Sequence, residues 1–269
     1  MKLFITILLF WFSTGACCQE LFSISEPASN KPAGTISMRL DNTLLEESTT
    51  RRTNYHLIPE LMTGISKKLT LGAGTFFSNR SHVFRYEGLN AYGKYRFYSR
   101  DGLQRHFRMA AWGRISYNKS DIHQEEIDFY GHNTGFELGL VATRLLRRLA
   151  LSSTVSWLNA GDNGKNNKFV YGNTRRRALN GSFSIGKLVR PSAYKNYGQT
   201  NLNLMLECAG QLNTGSGKSY LDIAPVLQFI FRSQCRLDIG YRREIAGTLL
   251  RTAPNGLFLR LEYNFFTAF

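Results

Sequence analysis

Apolar and polar side chains alternate one by one along most of this chain. The segment 257–265 shows the pattern most clearly, because every second residue is apolar and Arg260, Glu262 and Asn264 lie between the apolar positions. Successive side chains of a β-strand point to opposite faces. The pattern therefore predicts a strand with one apolar face and one charged face.

The same alternation recurs from about residue 34 onward. It predicts roughly twelve strands, with a range of about 10 to 14, and most have the ten or so residues that a tilted strand needs to cross a bilayer. The predicted strands are 34–46, 54–66, 69–79, 86–98, 106–118, 132–146, 149–159, 178–187, 200–213, 219–232, 235–246 and 257–265.

The connections between these strands alternate in length. Tight links are predicted at Lys67–Lys68, Arg147–Arg148 and Ser233–Gln234, and longer polar loops lie between them. Short turns on one side and long loops on the other are typical of bacterial outer-membrane barrels. The fold class that follows is all-β, an antiparallel up-and-down transmembrane β-barrel. An even number of strands predicts that both termini face the periplasm.

The first residues have the order of a secretory signal peptide. Lys2 is followed by an apolar run and then by small residues up to Cys18, and the run is too short to span a bilayer as a mature helix. We expect 1–18 to be cleaved, which leaves Gln19 first. Lipidation of Cys17 is an alternative. The remainder divides into a periplasmic lead-in, 19–33, and a barrel, 34–269.

Alternation alone also fits a secreted β-sandwich, in which the apolar faces would form a dry core. Strand length, charges along whole strands, meander-like connections and the export signal all favour the membrane. Tyr117, Trp157 and Tyr263 lie near predicted strand ends, as the aromatic girdles of membrane barrels do.

In a membrane barrel of this size the apolar faces meet lipid and the charged faces line the lumen. Basic and acidic side chains on these faces are balanced, so we expect them to pair across neighbouring strands. The sequence leaves open whether the pairs fill the bore or line a narrow passage for small polar solutes. The predicted lumen network consists of Arg39, Asp41, Glu60, Lys94, Arg96, Arg108, Arg114, Glu137, Glu207, Asp222, Arg236, Asp238, Arg242, Glu244, Arg260 and Glu262.

The C-terminus ends in an alternating apolar strand and a final aromatic residue. It resembles the recognition strand of outer-membrane proteins, which implies that the barrel-assembly machinery is a partner. The residues that carry this resemblance are Leu259, Leu261, Tyr263, Phe265 and Phe269.

The formal net charge is +15 over 269 residues. We expect the excess in the long loops, where basic side chains would bind outer-membrane lipid and lipopolysaccharide phosphates. No recognition motif supports nucleic-acid binding in an exported chain. The loop residues concerned are Arg51, Arg52, Lys165, Lys168, Arg175, Arg176 and Arg177.

One loop holds residues that bind metals elsewhere. His123, Glu125, Glu126 and His132 combine imidazoles with carboxylates, but their spacing matches no ligand set, and a solvated surface loop is the favoured interpretation. We expect no metal and no cofactor.

A lipid-cleaving barrel enzyme is the alternative in which chemistry takes place on the outer surface. His132 and Thr134 would share a lipid-facing side of one strand, but Thr134 stands where that arrangement needs a nucleophile. We therefore do not expect an enzyme. Cys208 and Cys235 are predicted to be unpaired.

Two stretches resemble small outer-membrane barrels of Bacteroidota, near the barrels of phenol-degradation pathways: "HLIPELMTGISKKLTLGAGTFFS" (56–78) and "YGKYRFYSRD" (92–101). The resemblance implies the outer membrane of a Gram-negative bacterium and passage of small, partly hydrophobic molecules. The expected function is a monomeric, narrow porin-like passage or a binding protein for an unknown small solute. A structural or adhesive barrel remains an alternative.

Overall fold

The computed structural model describes residues 22–47, 52–81, 83–103, 105–191 and 198–269. In these residues the chain forms twelve strands and one short 3-10 helix, Asn173–Arg176. No helix in the described ranges is both long and apolar enough to cross a membrane. The strands are β1 (Ile36–Glu46), β2 (Thr53–Gly64), β3 (Leu69–Ser78), β4 (Arg85–Gly102), β5 (Arg105–Asn118), β6 (Gly135–Leu146), β7 (Leu149–Ala160), β8 (Arg177–Arg190), β9 (Thr200–Asn213), β10 (Ser219–Phe231), β11 (Cys235–Gly247) and β12 (Asn255–Phe265).

The strands form a single closed barrel in chain order. Each strand pairs antiparallel with the next, and β1 pairs with β12 to close the sheet. Closure leaves no strand edge unpaired, which is what a sheet needs in a bilayer, where no water can bond a free backbone group. The fold class predicted from the sequence is confirmed. The predicted periplasmic side of the termini stays a prediction.

Strand bounds agree with the sequence prediction to within four residues. The largest shift is at the end of β4, which runs to Gly102 rather than to 98, and the start of β6 also differs. The predicted strand begins at 132, but β6 begins at Gly135, which has φ 148°. This left-handed backbone breaks the alternation before the strand, so residues ahead of it do not continue the face pattern of β6.

The apolar faces of the strands point away from the barrel. Leu140 is 52% exposed, Ile115 is 67% exposed and Leu261 is 40% exposed. The charged faces point inward, where Glu207 and Asp238 are almost completely buried. This arrangement is the inverse of a β-sandwich core and is the arrangement of a barrel that meets lipid.

Most of the predicted assembly signal lies on the outer face of β12, but its last residue does not belong to that strand. β12 ends at Phe265, and the chain then turns through Thr267, which has φ 56°. Ala268 donates its amide hydrogen to the carbonyl oxygen of Gly34, with 2.8 Å between nitrogen and oxygen. Phe269 is exposed beyond this turn, so its position is not set by the alternation of β12.

Two irregular segments lie inside the barrel. The first, here called the N-terminal segment (22–33), fills the half of the bore near the short turns. The sequence predicts 19–33 as a lead-in outside the barrel, whereas Phe22, Ala28 and Lys31 are almost completely buried within it. The second, here called the β5–β6 loop (119–134), enters from the opposite end.

We expect a charge on the outer face to destabilise the barrel in a depth-dependent way. Leu140→Arg, in the middle of β6, should lower the free energy of unfolding by about 2–4 kcal/mol, because the guanidinium would face hydrocarbon. Denaturant titration of the barrel in lipid vesicles measures the change. Leu103→Arg is the control, since Leu103 is 95% exposed in the short β4–β5 connection. Equal stabilities for the two variants would contradict a lipid-facing outer surface.

Candidate functional site

Alternating charges cross the seam where the first and last strands meet. Arg39 of β1 lies opposite Glu60 of β2 and Glu262 of β12, and Glu262 lies opposite Arg236 of β11. The Arg39 guanidinium is 2.9 Å from Glu262 and 3.4 Å from Glu60. Buried charges need such partners because neither end of the pair is solvated by water.

A second row of charges lies next to the first. Arg260 of β12 lies opposite Asp41 of β1 on one side and Asp238 of β11 on the other. Arg260 bonds Asp41 through two nitrogens, with Nη2 at 2.9 Å from Oδ2. Arg236 bonds Asp238 within its own strand. The seam is therefore a continuous ionic lattice on the inner wall.

The N-terminal segment is held by a carboxylate on the opposite wall. Glu207 of β9 accepts hydrogen bonds from the backbone amides of Ser23, Ile24 and Ser25 at 2.8–3.0 Å. The strand neighbours of Glu207 in register are Ser184 and Ala224, which carry no charge. Ser184 donates its hydroxyl hydrogen to Glu207 at 3.3 Å, and the segment adds three backbone donors to this carboxylate.

Further contacts fasten the N-terminal segment along its length. The Lys31 ammonium is 2.5 Å from Glu262, which links this segment to the ionic seam. Arg236 donates to the carbonyl oxygen of Phe22 at 2.7 Å, and Ala28 donates its amide hydrogen to Thr143 at 2.9 Å. Apolar contacts join these, since Ala28 packs among buried residues that include Trp112.

The β5–β6 loop is anchored by an arginine from the connection between β11 and β12. Asp222 of β10 and Glu244 of β11 are register partners, so two carboxylates face each other across the strands. Arg251 bonds Asp222 at 2.7 Å and Glu244 at 2.8 Å, and its Nε bonds Glu126 of the loop at 2.9 Å. One guanidinium thereby bridges the pair and fixes the loop to the wall.

The electrostatics of this anchor favour the charged forms. Burial alone would raise the pKa of Glu126, but the Arg251 and Arg242 charges and bonds from Arg251 and Tyr220 lower it below its ordinary value. Burial alone would lower the pKa of Arg251, but the Glu126 charge and bonds to Asp222 raise it above its ordinary value. Both groups are ionised at neutral pH.

A second anchor lies one residue away. Glu125 accepts hydrogen bonds from Lys218 at 2.8 Å and Arg175 at 2.7 Å, and it also accepts the amide hydrogen of Leu250 at 3.2 Å. Burial acts to raise the pKa of Glu125, but the Lys218 and Leu250 hydrogen bonds and the nearby positive charges lower it. Glu125 and Glu126 therefore tie the loop to three different connections of the barrel.

The apolar residues of the β5–β6 loop point into the bore. Ile127 and Phe129 pack against Leu158, Phe169 and Ala178, and all are buried. The Ile127 amide hydrogen also bonds the Gln211 side chain at 2.9 Å. The sequence prediction of a solvated surface loop is wrong here, because these contacts draw the loop inside.

Arg114 of β5 connects the two inserted segments. Its guanidinium lies 3.7 Å from the centre of the Tyr130 ring in the β5–β6 loop and 3.4 Å from Glu26 of the N-terminal segment. It also lies 3.6 Å from Glu137 of β6. A displacement of either segment would therefore change the surroundings of this one buried cation.

A cavity of about 250 Å³ lies between the N-terminal segment and the β5–β6 loop. Both segments border it, and the barrel wall completes its lining. The wall contributes charges of both signs and aromatic rings, among them Asp41, Arg260 and Phe258. Such a lining suits a small solute that has both polar and apolar parts.

Most residues of the predicted lumen network face the bore, and two of them lie at the rim of the barrel. Arg96 bonds the carbonyl oxygen of Lys67 at 2.6 Å, and Arg108 pairs with the exposed Asp101 at 3.1 Å. Both lie at the short-turn end, outside the ionic seam. The other predicted lumen residues face the bore and are buried or half-buried: Arg39, Asp41, Glu60, Lys94, Arg114, Glu137, Glu207, Asp222, Arg236, Asp238, Arg242, Glu244, Arg260 and Glu262.

Sequence reasoning missed Glu26, Lys31 and Arg251, which link the inserted segments to the wall. A signal was present only for Arg251, because the register of β10 and β11 brings Asp222 and Glu244 together and a cation must lie near them.

The weak metal candidates do not form a site. Glu125 and Glu126 are taken by basic partners, and the His123 side chain is mostly exposed. In the described ranges no group of three or more potential ligands is close enough to hold a metal ion.

His132 does not face lipid, contrary to the sequence prediction. Its ring stacks on that of His56 at 5.1 Å, and its Nδ1 accepts a hydrogen bond from Arg80 at 2.9 Å, both within the barrel. Burial, then the Arg80 charge, lowers the pKa of His132 well below its ordinary value. Thr134 bonds the backbone of Asn118 rather than His132. The geometry that the lipid-cleaving alternative requires is therefore not formed by these residues.

Cys208 and Cys235 are both free, which confirms the prediction for these two residues.

No protein-family model matches this chain, and no curated protein sequence does. The fold is similar to that of an outer membrane channel from Pseudomonas putida F1, with a TM-score of 0.57, 13% identity, and coverage of 91% of this chain and 100% of that one. Weaker similarities include the NanC porin, at a TM-score of 0.48, 9% identity, and coverage of 86% and 98%. OccAB4 of Acinetobacter baumannii has a TM-score of 0.39 and 9% identity, with coverage of 83% of this chain and 56% of that one. The similarity to the Pseudomonas putida F1 channel supports the barrel fold.

We expect Arg251 to be the strongest single anchor of the β5–β6 loop. Arg251→Met should lower the free energy of unfolding by about 3–5 kcal/mol, because it removes the guanidinium that bonds the buried Glu126 and Asp222 carboxylates and Glu244. Arg243→Met is the matched control, since Arg243 is exposed on β11 and should change stability by less than about 0.5 kcal/mol. Denaturant titration in vesicles measures both. A small effect at Arg251 would show that the ion pairs do not hold the loop.

Acid should loosen the loop through Glu126. A carboxylate whose pKa is lowered by folding stabilises the fold above its unfolded pKa, and this contribution is lost as the pH falls through the lower, folded value. At a pH below 4.5, the ordinary pKa of glutamate, the Ile127 amide should therefore exchange its hydrogen faster. The increase should exceed the change that the pH dependence of intrinsic amide exchange produces. Glu126→Gln should remove this part of the pH dependence. An identical pH profile in the two proteins would contradict the assignment.

Proposed function

We propose that this protein is an outer-membrane channel for small solutes that the N-terminal segment and the β5–β6 loop hold closed in this conformation. The observation that carries the proposal is the cavity of about 250 Å³ that the two segments border from opposite ends of the bore. In the proposal, the cavity binds the solute, and movement of an inserted segment lets the solute pass.

The way in which the N-terminal segment is held supports movement. It forms no strand and adds nothing to the barrel sheet; side-chain contacts with Glu207, Glu262 and Arg236 hold it instead. Breaking these contacts leaves all twelve strand pairings of the barrel in place. The barrel can therefore stay folded while its bore opens.

The lining of the cavity supports a solute class. Arg114, Arg242 and Arg260 bring positive charge, several carboxylates bring negative charge, and Ile127 and Phe129 bring apolar surface. A solute with one polar group and a compact apolar part matches such walls. The resemblance of residues 56–78 and 92–101 to Bacteroidota barrels implies the same kind of solute, and the Pseudomonas putida F1 neighbour is itself described as an outer membrane channel.

Location and partners belong to the same proposal. The short-turn end and both termini face the periplasm of a Gram-negative bacterium, and the C-terminal strand is recognised by the barrel-assembly machinery. At the long-loop end, Lys165, Lys168 and Arg177 remain for lipopolysaccharide phosphates, because Arg175 and Arg176 are engaged by Glu125 and Asp162. One closed barrel hides its own strand edges, so the protein acts as a monomer.

Conductance across planar bilayers tests the proposal. The unmodified chain should conduct weakly with rare openings. Glu207→Gln should open several-fold more often, because a neutral amide is a weaker acceptor for the three amides of the N-terminal segment. Removal of 22–33 should hold the passage open for longer still.

Glu46→Gln is the matched control, because Glu46 is exposed at the end of β1 and lies outside both inserted segments. It should behave as the unmodified chain does. Folded barrels of all variants that neither conduct nor admit solutes into vesicles would contradict a passage and favour a scaffold.

A further inference from the structure

The short-turn end of the barrel carries a group of basic residues on its outer face. This group, here called the basic belt, consists of Arg100 of β4, Arg105 of β5, Arg144 of β6, Lys187 of β8 and Arg147 in the β6–β7 turn. All are exposed. The sequence predicts the positive excess in the long loops, at the other end of the barrel.

The strand register shows that the belt is continuous with the lipid-facing surface. Arg100 lies opposite Phe107, which lies opposite Arg144 on the next strand. One step closer to the turns, Arg105 lies opposite Leu146 on β6. Directly opposed residues of neighbouring strands point to the same face, so these cations alternate with apolar side chains on the outside.

The row of opposed outer-face residues that contains Arg105 and Leu146 continues across two more strands. Leu146 lies opposite Leu149 of β7, and Leu149 lies opposite Lys187 of β8. The belt therefore spans β4 to β8, nearly half of the circumference, at the short-turn end of the barrel.

No acidic side chain of the described ranges pairs with the belt. Within the part of the chain that the structure describes, its members form no ion pair and no side-chain hydrogen bond. The nearby carboxylate, Asp101, is already engaged by His106 at 2.7 Å and Arg108 at 3.1 Å. The positive charges are therefore available to an external anion.

Exposed aromatic residues lie beside the belt and indicate its depth in the membrane. Phe97 and Tyr98 are exposed on β4 beside it, and the Tyr98 ring packs edge to face against Phe107 at 5.9 Å. Aromatic side chains of membrane proteins concentrate at the level of the lipid headgroups. The basic belt thus lies where the phosphates of the adjacent leaflet would be.

We propose that the basic belt is a binding surface for anionic phospholipids in the leaflet at the short-turn end. Guanidinium groups bind phosphate oxygens through paired hydrogen bonds, and the neighbouring Phe107, Leu146 and Leu149 contact the acyl chains. The surface rests on the membrane location proposed above, but it is independent of whether the bore conducts.

Lipid selectivity in reconstituted phosphatidylcholine vesicles tests the surface. Spin-labelled phosphatidylglycerol should associate with the full barrel more strongly than spin-labelled phosphatidylcholine, and the preference should shrink as salt is raised. Replacing all belt residues by Gln should reduce the preference on the order of threefold or more. Far-UV circular dichroism confirms that the variant remains a folded barrel.

The control replaces Lys165, Lys168 and Arg177, exposed basic residues of the long-loop end, by Gln. This variant should retain most of the preference. The proposal is overturned if the unmodified barrel shows no preference for phosphatidylglycerol, if the belt variant keeps it, or if the control loses as much. If the belt variant does not fold, the double variant Arg100→Gln, Arg144→Gln is measured instead. The proposal is overturned if this double variant prefers phosphatidylglycerol as strongly as the unmodified barrel does.

Discussion

Matching of buried charges across the closure seam is the constraint on which the rest of the structure depends. Arg39 lies between Glu60 and Glu262, and Arg260 lies between Asp41 and Asp238, so opposite charges alternate from β2 through β1 and β12 to β11. A slip of one residue between β1 and β12 would place Arg39 opposite Leu261 or Tyr263 and would turn inner faces outward. The register that closes the barrel is therefore also the register that neutralises its interior.

Groups from outside the strands bond carboxylates on the inner wall. Glu207 has uncharged neighbours on both adjacent strands and accepts hydrogen bonds from three backbone amides of the N-terminal segment. Asp222 and Glu244 face each other and obtain Arg251, which also carries the β5–β6 loop. The filling of the bore thus follows from the electrostatics of its wall, and any opening must exchange these partners for water or for a solute.

The sequence was sufficient to predict the strands, their faces and the single closed sheet, because alternation is local and repeats in every strand. It could not predict that Ser23 or Glu126 lies inside the barrel. Neither inserted segment has a periodic pattern, and the partners of each come from strands far apart in the chain. The alternation of β6 also predicts a lipid-facing side chain for His132. That prediction is wrong because the left-handed backbone of Gly135 interrupts the alternation between His132 and the strand.

Occupation of the bore by the N-terminal segment is the central claim, and a cross-link tests it most directly. Ser25 and Ser184 of β8 are joined through their hydroxyl oxygens inside the barrel. With Cys208 and Cys235 replaced by Ser, a chain carrying Ser25→Cys and Ser184→Cys should form a disulfide in the folded, membrane-embedded protein. Cysteines that stay reduced, with the one at position 25 labelled rapidly by a membrane-impermeant maleimide, would contradict the account.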